Sequence, residues 1–304
     1  TSWVHNKKGI PYVSTVTFKT IVSEATTVSD LLTGGVDIVP GVPGTQLNRV
    51  TGNKKIVLHK IPSQGEYFLE FNTAHAPFDS LAGRKAVAEL IDRNAIVKAA
   101  FAGQAFPVYN TIPPAIPDYD KSAAVHLPHL NTADAAKIIK ADHLTGPYTI
   151  LAPNDPTDTT IAEILQAAAA QAGMKLTIKP QAVGDLVASA GKGEFDILLL
   201  SYGYPDPDIM YLLLNSTQGG GKGLDFTNYV NPTLDRLLVK GRETLNAKKA
   251  RGYYAQAQTL VNREVLLAGL AVPSTVIAFR STIKGYHLNK ALAFAIQDLY
   301  VKSK

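Results

Sequence analysis

Apolar positions change period several times along the chain, and each change marks an expected element. Over residues 14–22 they alternate, with Val16, Phe18 and Val22 on one side, which predicts a half-buried strand. Residues 27–32 read as a short helix halted by Gly34-Gly35, and 36–39 as a compact strand punctuated by Pro40 and Pro43. Further strands are expected at 55–59 and 67–72. From Asp79 the spacing turns helical: Ala82, Ala86 and Leu90 share one face, and a second helix covers 95–101. Residues 106–130 carry Pro107, Pro113, Pro114, Pro117 and Pro128, which exclude regular structure. Their aromatic and aliphatic content predicts a surface excursion held against the body, leading towards a domain boundary.

The middle of the chain is patterned most clearly. A strand at 148–151 runs into Ala152-Pro153-Asn154-Asp155-Pro156. A helix follows with Ile161, Ile164, Leu165, Ala168 and Ala172 on one face. Thr160 and Glu163 have capping-box spacing, and Gly173 supplies the stop. A strand at 175–179, a helix at 183–190 and a continuously apolar strand at 195–200 complete β-α-β-α-β. The last strand is apolar enough to be buried on both faces, as in a parallel sheet. Asn231-Pro232 then opens a helix with a capping side chain and proline at its first position. Leu234, Leu237, Leu238 and Leu245 line its apolar side. A longer helix covers 247–266, with Ala250, Tyr253, Tyr254, Ala257, Leu260 and Val261 inward, and strands are expected at 271–279 and 292–296. No internal repeat is visible. The fold class is α/β, doubly wound through the middle.

Composition narrows the function. The 304 residues are 46% hydrophobic and 18% charged, with a net charge of +5. That is an ordinary globular balance, and the basic residues come in pairs rather than in the stripe that nucleic acid requires. The longest apolar run, 265–273, falls short of the roughly 20 residues of a membrane span. Absence of cysteine removes disulfides, thiolate metal sites and cysteine nucleophiles. Thr1-Ser2-Trp3-Val4-His5 is no signal peptide, and the lack of an initiator Met suggests a processed product.

In open α/β sheets ligands gather beyond the carboxyl ends of the strands. Two loops qualify. One is Pro153 to Asp158, which holds Asn154 and Asp155. The other is Ser201-Tyr202-Gly203-Tyr204-Pro205-Asp206-Pro207-Asp208, where tyrosines offer flat faces with a polar tip and Gly203 admits close backbone approach. The duller alternative has Tyr202 and Tyr204 packed beneath the loop and an Asp capping the next helix. Ser201 after a buried strand is similar to a hydrolase nucleophile elbow, but position 199 is Leu rather than Gly, and Pro205 and Pro207 prevent an immediate helix. His126 and His129 have metal-compatible spacing but flank Pro128 without a third ligand nearby. Gly219-Gly220-Gly221-Lys222-Gly223 lacks the Ser or Thr and the preceding strand of a phosphate loop. No enzyme constellation and no cofactor motif emerges.

Several segments together resemble the solute-binding proteins of ABC importers, the extracellular family 5 group of oligopeptide, dipeptide and nickel binders. The resemblance is carried by Trp3, Gly9-Ile10-Pro11-Tyr12 through Val16, and Leu31-Leu32-Thr33-Gly34-Gly35-Val36-Asp37-Ile38. It continues through Phe71-Asn72, Pro77-Phe78-Asp79, Arg84-Lys85-Ala86, Ile91-Asp92-Arg93, Gly103-Gln104-Ala105 and Ile112-Pro113-Pro114. Tyr204-Pro205-Asp206-Pro207-Asp208, Tyr229, Asn231-Pro232, Asp235, Leu237-Leu238 and 253–258 complete it.

The resemblance implies a type II periplasmic-binding-protein lobe, a mixed wound sheet with helices on both faces. It implies that residues 1–270 form the second lobe and 271–304 a return segment of a first lobe whose N-terminal part is missing. It further implies capture of an oligopeptide or peptide-like solute between lobes, without catalysis or cofactor, for delivery to ABC permease subunits. The setting would be the outer side of the cytoplasmic membrane, with attachment through a lost lipidated N-terminus. Expected ligand-binding residues are Ser201, Tyr202, Gly203, Tyr204, Asn154, Asp155 and Asn72. Peptide-binding members carry an Asp where this chain has Gly203, and a Trp where it has Leu200. A nickel complex or a saccharide is therefore the alternative cargo, and a serine hydrolase using Ser201 the rival in another class.

Overall fold

The computed structural model describes residues 12–287 and 295–302. Two compact units emerge, 62–273 and the combination of 1–61 with 274–304.

In the smaller unit, α1 (Glu24–Thr33) is capped by the Ser23 hydroxyl and ends on Gly34, whose φ of 93° is a left-handed stop suited to glycine. It is followed by β1 (Ile38–Val39), α2 (Leu47–Val50) and β2 (Ile56–Pro62). The strand expected at 14–22 does not form. Phe18 is 82% exposed and Val22 97%, so the alternation has no face to bury and no partner strand among the described residues.

The larger unit contains β3 (Gly65–Phe71), α3 (Leu81–Ala88), α4 (Arg93–Ala100), β4 (Ala105–Pro107), α5 (Thr132–Ala141), β5 (Tyr148–Pro153) and α6 (Pro156–Ala172). Then come β6 (Leu176–Gln181), α7 (Val183–Gly191), β7 (Ile197–Gly203), α8 (Ile209–Leu214), α9 (Pro232–Glu243) and α10 (Ala247–Glu264). The long β8 (Leu267–Arg280) pairs with β3 and β4 through its first half and with β1 through its last residues. The chain ends through β9 (Ile283–Lys284) and β10 (Tyr300–Val301). Trp3, Gly9-Ile10-Pro11 and most of the strand expected at 292–296 lie outside the described residues; Ile296 opens a 3-10 turn.

The doubly wound segment forms as expected, with β6, β5 and β7 side by side and parallel. Next to β7, β3 runs antiparallel, so the sheet is mixed. Leu69, Phe71, Leu199 and Ile197 pack on one face against α3, α4, α5 and α6. Phe68, Leu198 and Leu200 pack on the other against α7, α8, α9 and α10. Each such side chain contributes roughly 1.5–3 kcal/mol on leaving water, and a one-residue slip would exchange the two faces.

Two expectations about helix ends are corrected. The cap of α6 is Asp155, whose Oδ1 accepts from the Thr157 and Asp158 N–H groups at 2.8 and 3.1 Å. Pro156 occupies the first turn, and Thr160 lies inside the helix, bonded to the Pro156 carbonyl at 2.8 Å. An Asp-Pro pair satisfies orphan N–H groups and presets φ together, so it outcompetes the later capping box. Leu245, expected on an apolar face, is fully exposed because α9 ends at Glu243. The proline-rich excursion is irregular apart from β4 and a turn at Ala123–His126. It is held by polar groups of α10: Asn262 Nδ2 donates to Asn110 Oδ1, and Asn110 Nδ2 to Gln258 Oε1, each at 2.9 Å.

Candidate functional site

Because β5 and β7 are parallel, they finish at the same edge, and antiparallel β3 starts there. Leu151 pairs with Leu198 and Gly65 with Gly203. Carrying the first register three residues on sets Asn154 level with Ser201. Six of the seven expected residues therefore meet at one sheet edge: Ser201, Tyr202, Gly203, Tyr204, Asn154 and Asp155. Ser201, Gly203, Tyr204 and Asn154 are exposed.

Asn72 does not join them. It follows the opposite end of β3, is 1% exposed, and is fully engaged in holding the chain together. Its Nδ2 donates to the Gly193 and Phe195 carbonyls at 3.2 and 3.0 Å; its Oδ1 accepts from the Ala74 N–H at 3.1 Å and Asn228 Nδ2 at 3.0 Å.

Pleating divides the edge into two faces. On the α6 face, Tyr67 lies opposite Ser201 in register. Asp155 and Asp158 stand beside them in the first turn of α6. A hydrogen bond from Asp158 is the main reason that the Asp155 carboxyl is held below its usual range, with the Asp158 and Thr157 N–H groups assisting against burial. Asp158 is 2% exposed. Burial, its bond to Asp155 and that neighbour's charge push Asp158 up to about 8. Burial raises the Tyr67 phenol, and the Asp158 and Asp155 charges add to it.

On the other face Tyr202 stacks on Phe68, centroids 6.0 Å apart and planes at 24°. Its phenol is pushed up to about 12, by burial first and then by the charge of Glu70. Tyr202 is thus a packed ring with one side towards the edge, close to the duller alternative, whereas Tyr204 is free of the core. Next to Tyr202 in register is Glu66, 4% exposed, and burial lifts it well above the carboxylate range against the opposing charge of Arg93. Arg93 is itself buried; its Nε donates to the Val108 and Gly269 carbonyls at 2.7 Å, and its guanidinium covers the Tyr109 ring at 4.3 Å. Asp208 pairs with Arg242 at 3.1 Å instead of capping α8 through its side chain.

Ser201 lies within β7, not at a sharp strand-to-helix turn, so the elbow required for a serine nucleophile is not formed. Sequence reading missed Tyr67 and Glu66, and it included Asp158 only as the end of the 153–158 loop. Glu66 and Glu70 were visible as charges two pleats apart in an apolar strand, a pattern at odds with a solvated face.

The profile of the bacterial extracellular solute-binding proteins, family 5 (middle region), matches residues 3–223. A probable di/tripeptide-binding protein of Pseudomonas aeruginosa is 29% identical over 228 residues, 73% of this chain and 43% of its own length. A glutathione-binding protein of Shigella flexneri is 26% identical over 301 residues, 95% of this chain and 58% of its own length. The chain spans about half the length of the curated relatives it matches. Among solved structures, HbpA2 of Haemophilus parasuis superposes with a TM-score of 0.89 at 19% identity, covering 98% of this chain and 60% of that one, which establishes a shared fold. With the profile extending over well more than half of its residues, the chain belongs to the family 5 bacterial extracellular solute-binding proteins.

Proposed function

We propose that residues 62–273 form one wall of a cleft that captures a peptide or peptide-like solute for an ABC importer. The observation that carries this reading is the edge shared by β5, β7 and β3. There Tyr204, Ser201, Gly203 and Asn154 are exposed at the carboxyl ends of parallel strands, where this sheet topology leaves a crevice. Family membership adds support, as do relatives named for di/tripeptide and glutathione binding. On this reading Tyr204 lies along the solute, Ser201 and Asn154 offer hydrogen bonds, and Gly203 lets the solute backbone approach. The chain is a binder and not a catalyst. The facing wall comes from the part of the relatives' length that this chain does not span. Closure of the two walls would present a surface to the permease outside the cytoplasmic membrane, with an N-terminal lipid anchor as tether.

The test is calorimetric titration of the protein with Ala-Ala, Ala-Ala-Ala and glutathione, beside a nickel–histidine complex and a disaccharide. Saturable binding of a peptide, weakened about tenfold by Tyr204→Ala, is the expected result. Binding of the nickel complex or disaccharide with no peptide heat would replace the peptide reading.

A further inference from the structure

Away from the sheet edge, the turn joining α9 to α10 carries a charge pattern that the fold does not use. Residues 236–251 hold six basic side chains and one acidic one, Glu243. Two of the six are engaged within the molecule. Arg242 pairs with Asp208 at 3.1 Å and lies over the Tyr211 ring at 3.9 Å, and Arg251 pairs with Asp118 at 3.1 Å. Arg236, Lys240, Lys248 and Lys249 are exposed and have no acidic partner among the described residues.

The helices bring these four together. The short link 244–246 makes α9 and α10 antiparallel neighbours. Gly241 on the first lies against Tyr254 on the second, where a Cβ would meet the ring at 2.8 Å. Lys240 Nζ stands 5.7 Å from the centroid of the Tyr253 ring. Arg236 is one turn before Lys240, and Lys249 one turn before Tyr253, so they share that side, with Lys248 adjoining. Folding does not call for cations here. The first turn of α10 contains Lys248 and Lys249 and no acidic residue, at a helix end where backbone N–H groups already concentrate positive charge.

In the link itself stands Leu245, 103% exposed and the most exposed large apolar residue among those described. A lone exposed leucine is ordinary on a protein surface. On a tip ringed by unpaired lysines it has the composition of a segment that meets a bilayer boundary. An acidic protein would need a socket shaped for one leucine. A fluid headgroup layer admits a single protruding side chain without one, and mobile lipid phosphates can gather under flexible lysines.

We propose that the α9–α10 tip is a membrane-contact site. Leu245 enters the headgroup boundary of an anionic bilayer, and Arg236, Lys240, Lys248 and Lys249 attract its phosphates. Glu243, one turn beyond Lys240, opposes that attraction. The contact does not depend on which solute the sheet edge takes.

Sedimentation of the protein with sucrose-loaded vesicles tests this. Vesicles of phosphatidylglycerol mixed equally with phosphatidylcholine should carry the wild type down at about 5 mM lipid, and pure phosphatidylcholine should not. Raising salt from about 50 mM to about 500 mM shortens the screening length to about 4 Å and should lower the partition at least about tenfold. The double variant Lys248→Glu/Lys249→Glu should lose about tenfold or more, and Leu245→Ser about fivefold. Glu243→Gln should gain about threefold, a change that a merely structural role for the tip would not produce. All four positions are exposed, and thermal unfolding should show every variant folded. Equal partition onto both vesicle types, no partition onto either, or a Glu243→Gln variant no tighter than the wild type overturns the proposal. Binding that needs the lysines and ignores Leu245→Ser also overturns it, and points to an acidic protein partner instead.

Discussion

The backbone N–H of Phe226 donates to Glu70 Oε1 at 2.9 Å, which fastens the loop following α8 to the middle of β3. Beside this contact sits Asp225, 2% exposed, with Oδ1 accepting from the Thr227 N–H and hydroxyl at 3.0 and 2.6 Å. Glu70 Oε2 and Asp225 Oδ2 have no partners among the described residues. Two carboxyls thus share a buried region; burial first, then the charge of Asp225, raises Glu70 well above its ordinary range.

A pH dependence follows. Burial pushes Asp225 up to about 6 from 3.8, with the Asp235 charge adding and the Thr227 bonds opposing. The folded state therefore binds this proton more tightly than the unfolded chain does. Asp225 favours folding most below about pH 4, and that contribution is lost as pH rises to about 6. Asp225→Asn keeps the acceptor for Thr227 and removes the ionisation. Denaturant unfolding should show the variant more stable by roughly 1–3 kcal/mol at pH 8 and little changed at pH 4. Equal pH slopes for the two proteins would refute the assignment.

Arg84 is the second lever. It is 2% exposed, and its guanidinium donates to the Phe78, Asp79 and Glu264 carbonyls at 2.8, 3.1 and 2.8 Å. Arg84→Ala orphans all three carbonyls and should lower unfolding free energy by about 3–5 kcal/mol. Arg84→Lys should recover less than half, because one ammonium cannot reproduce a planar fork. Urea midpoints at constant slope measure both.

Tyr202 and Tyr204 should separate stability from binding. Tyr202→Ala removes a ring stacked on Phe68 and should cost about 2 kcal/mol or more in stability. Tyr204 is exposed, so Tyr204→Ala should unfold within about 0.5 kcal/mol of the parent while weakening the solute. The reverse pattern would place the binding face on the Tyr202 side of the pleat.

Asn72→Ala provides the contrast within the expected site residues. It leaves the Gly193 and Phe195 carbonyls and the Ala74 N–H unmatched, for a loss of about 2–4 kcal/mol. Peptide affinity measured where the variant is fully folded should equal that of the parent. A fall in affinity with stability intact would return Asn72 to the binding edge.

Much of this was legible along the chain because the signals are local. The β5–α6–β6–α7–β7 alternation, the Gly34 and Gly173 stops and the Asn231 cap each depend on residues within one turn or one strand. Where reading failed, a distant partner decided. The alternation at 14–22 had a strand's period with no strand beside it among the described residues. Asn72, polar and close to a motif, looked like a contact for solute until Gly193, Phe195 and Asn228 were seen to use up its hydrogen bonds.

The sequence by itself determined the wound α/β segment, the loop that would carry tyrosines to the sheet edge, and the family. Periodicity, caps and motif order survive without knowledge of neighbours. Only the tertiary structure decided which way β3 runs, and hence that Tyr67 from one strand, Ser201 from another and Asp158 from a helix stand together. Strand order and direction are set by burial on two faces at once, a condition that no single stretch of chain contains.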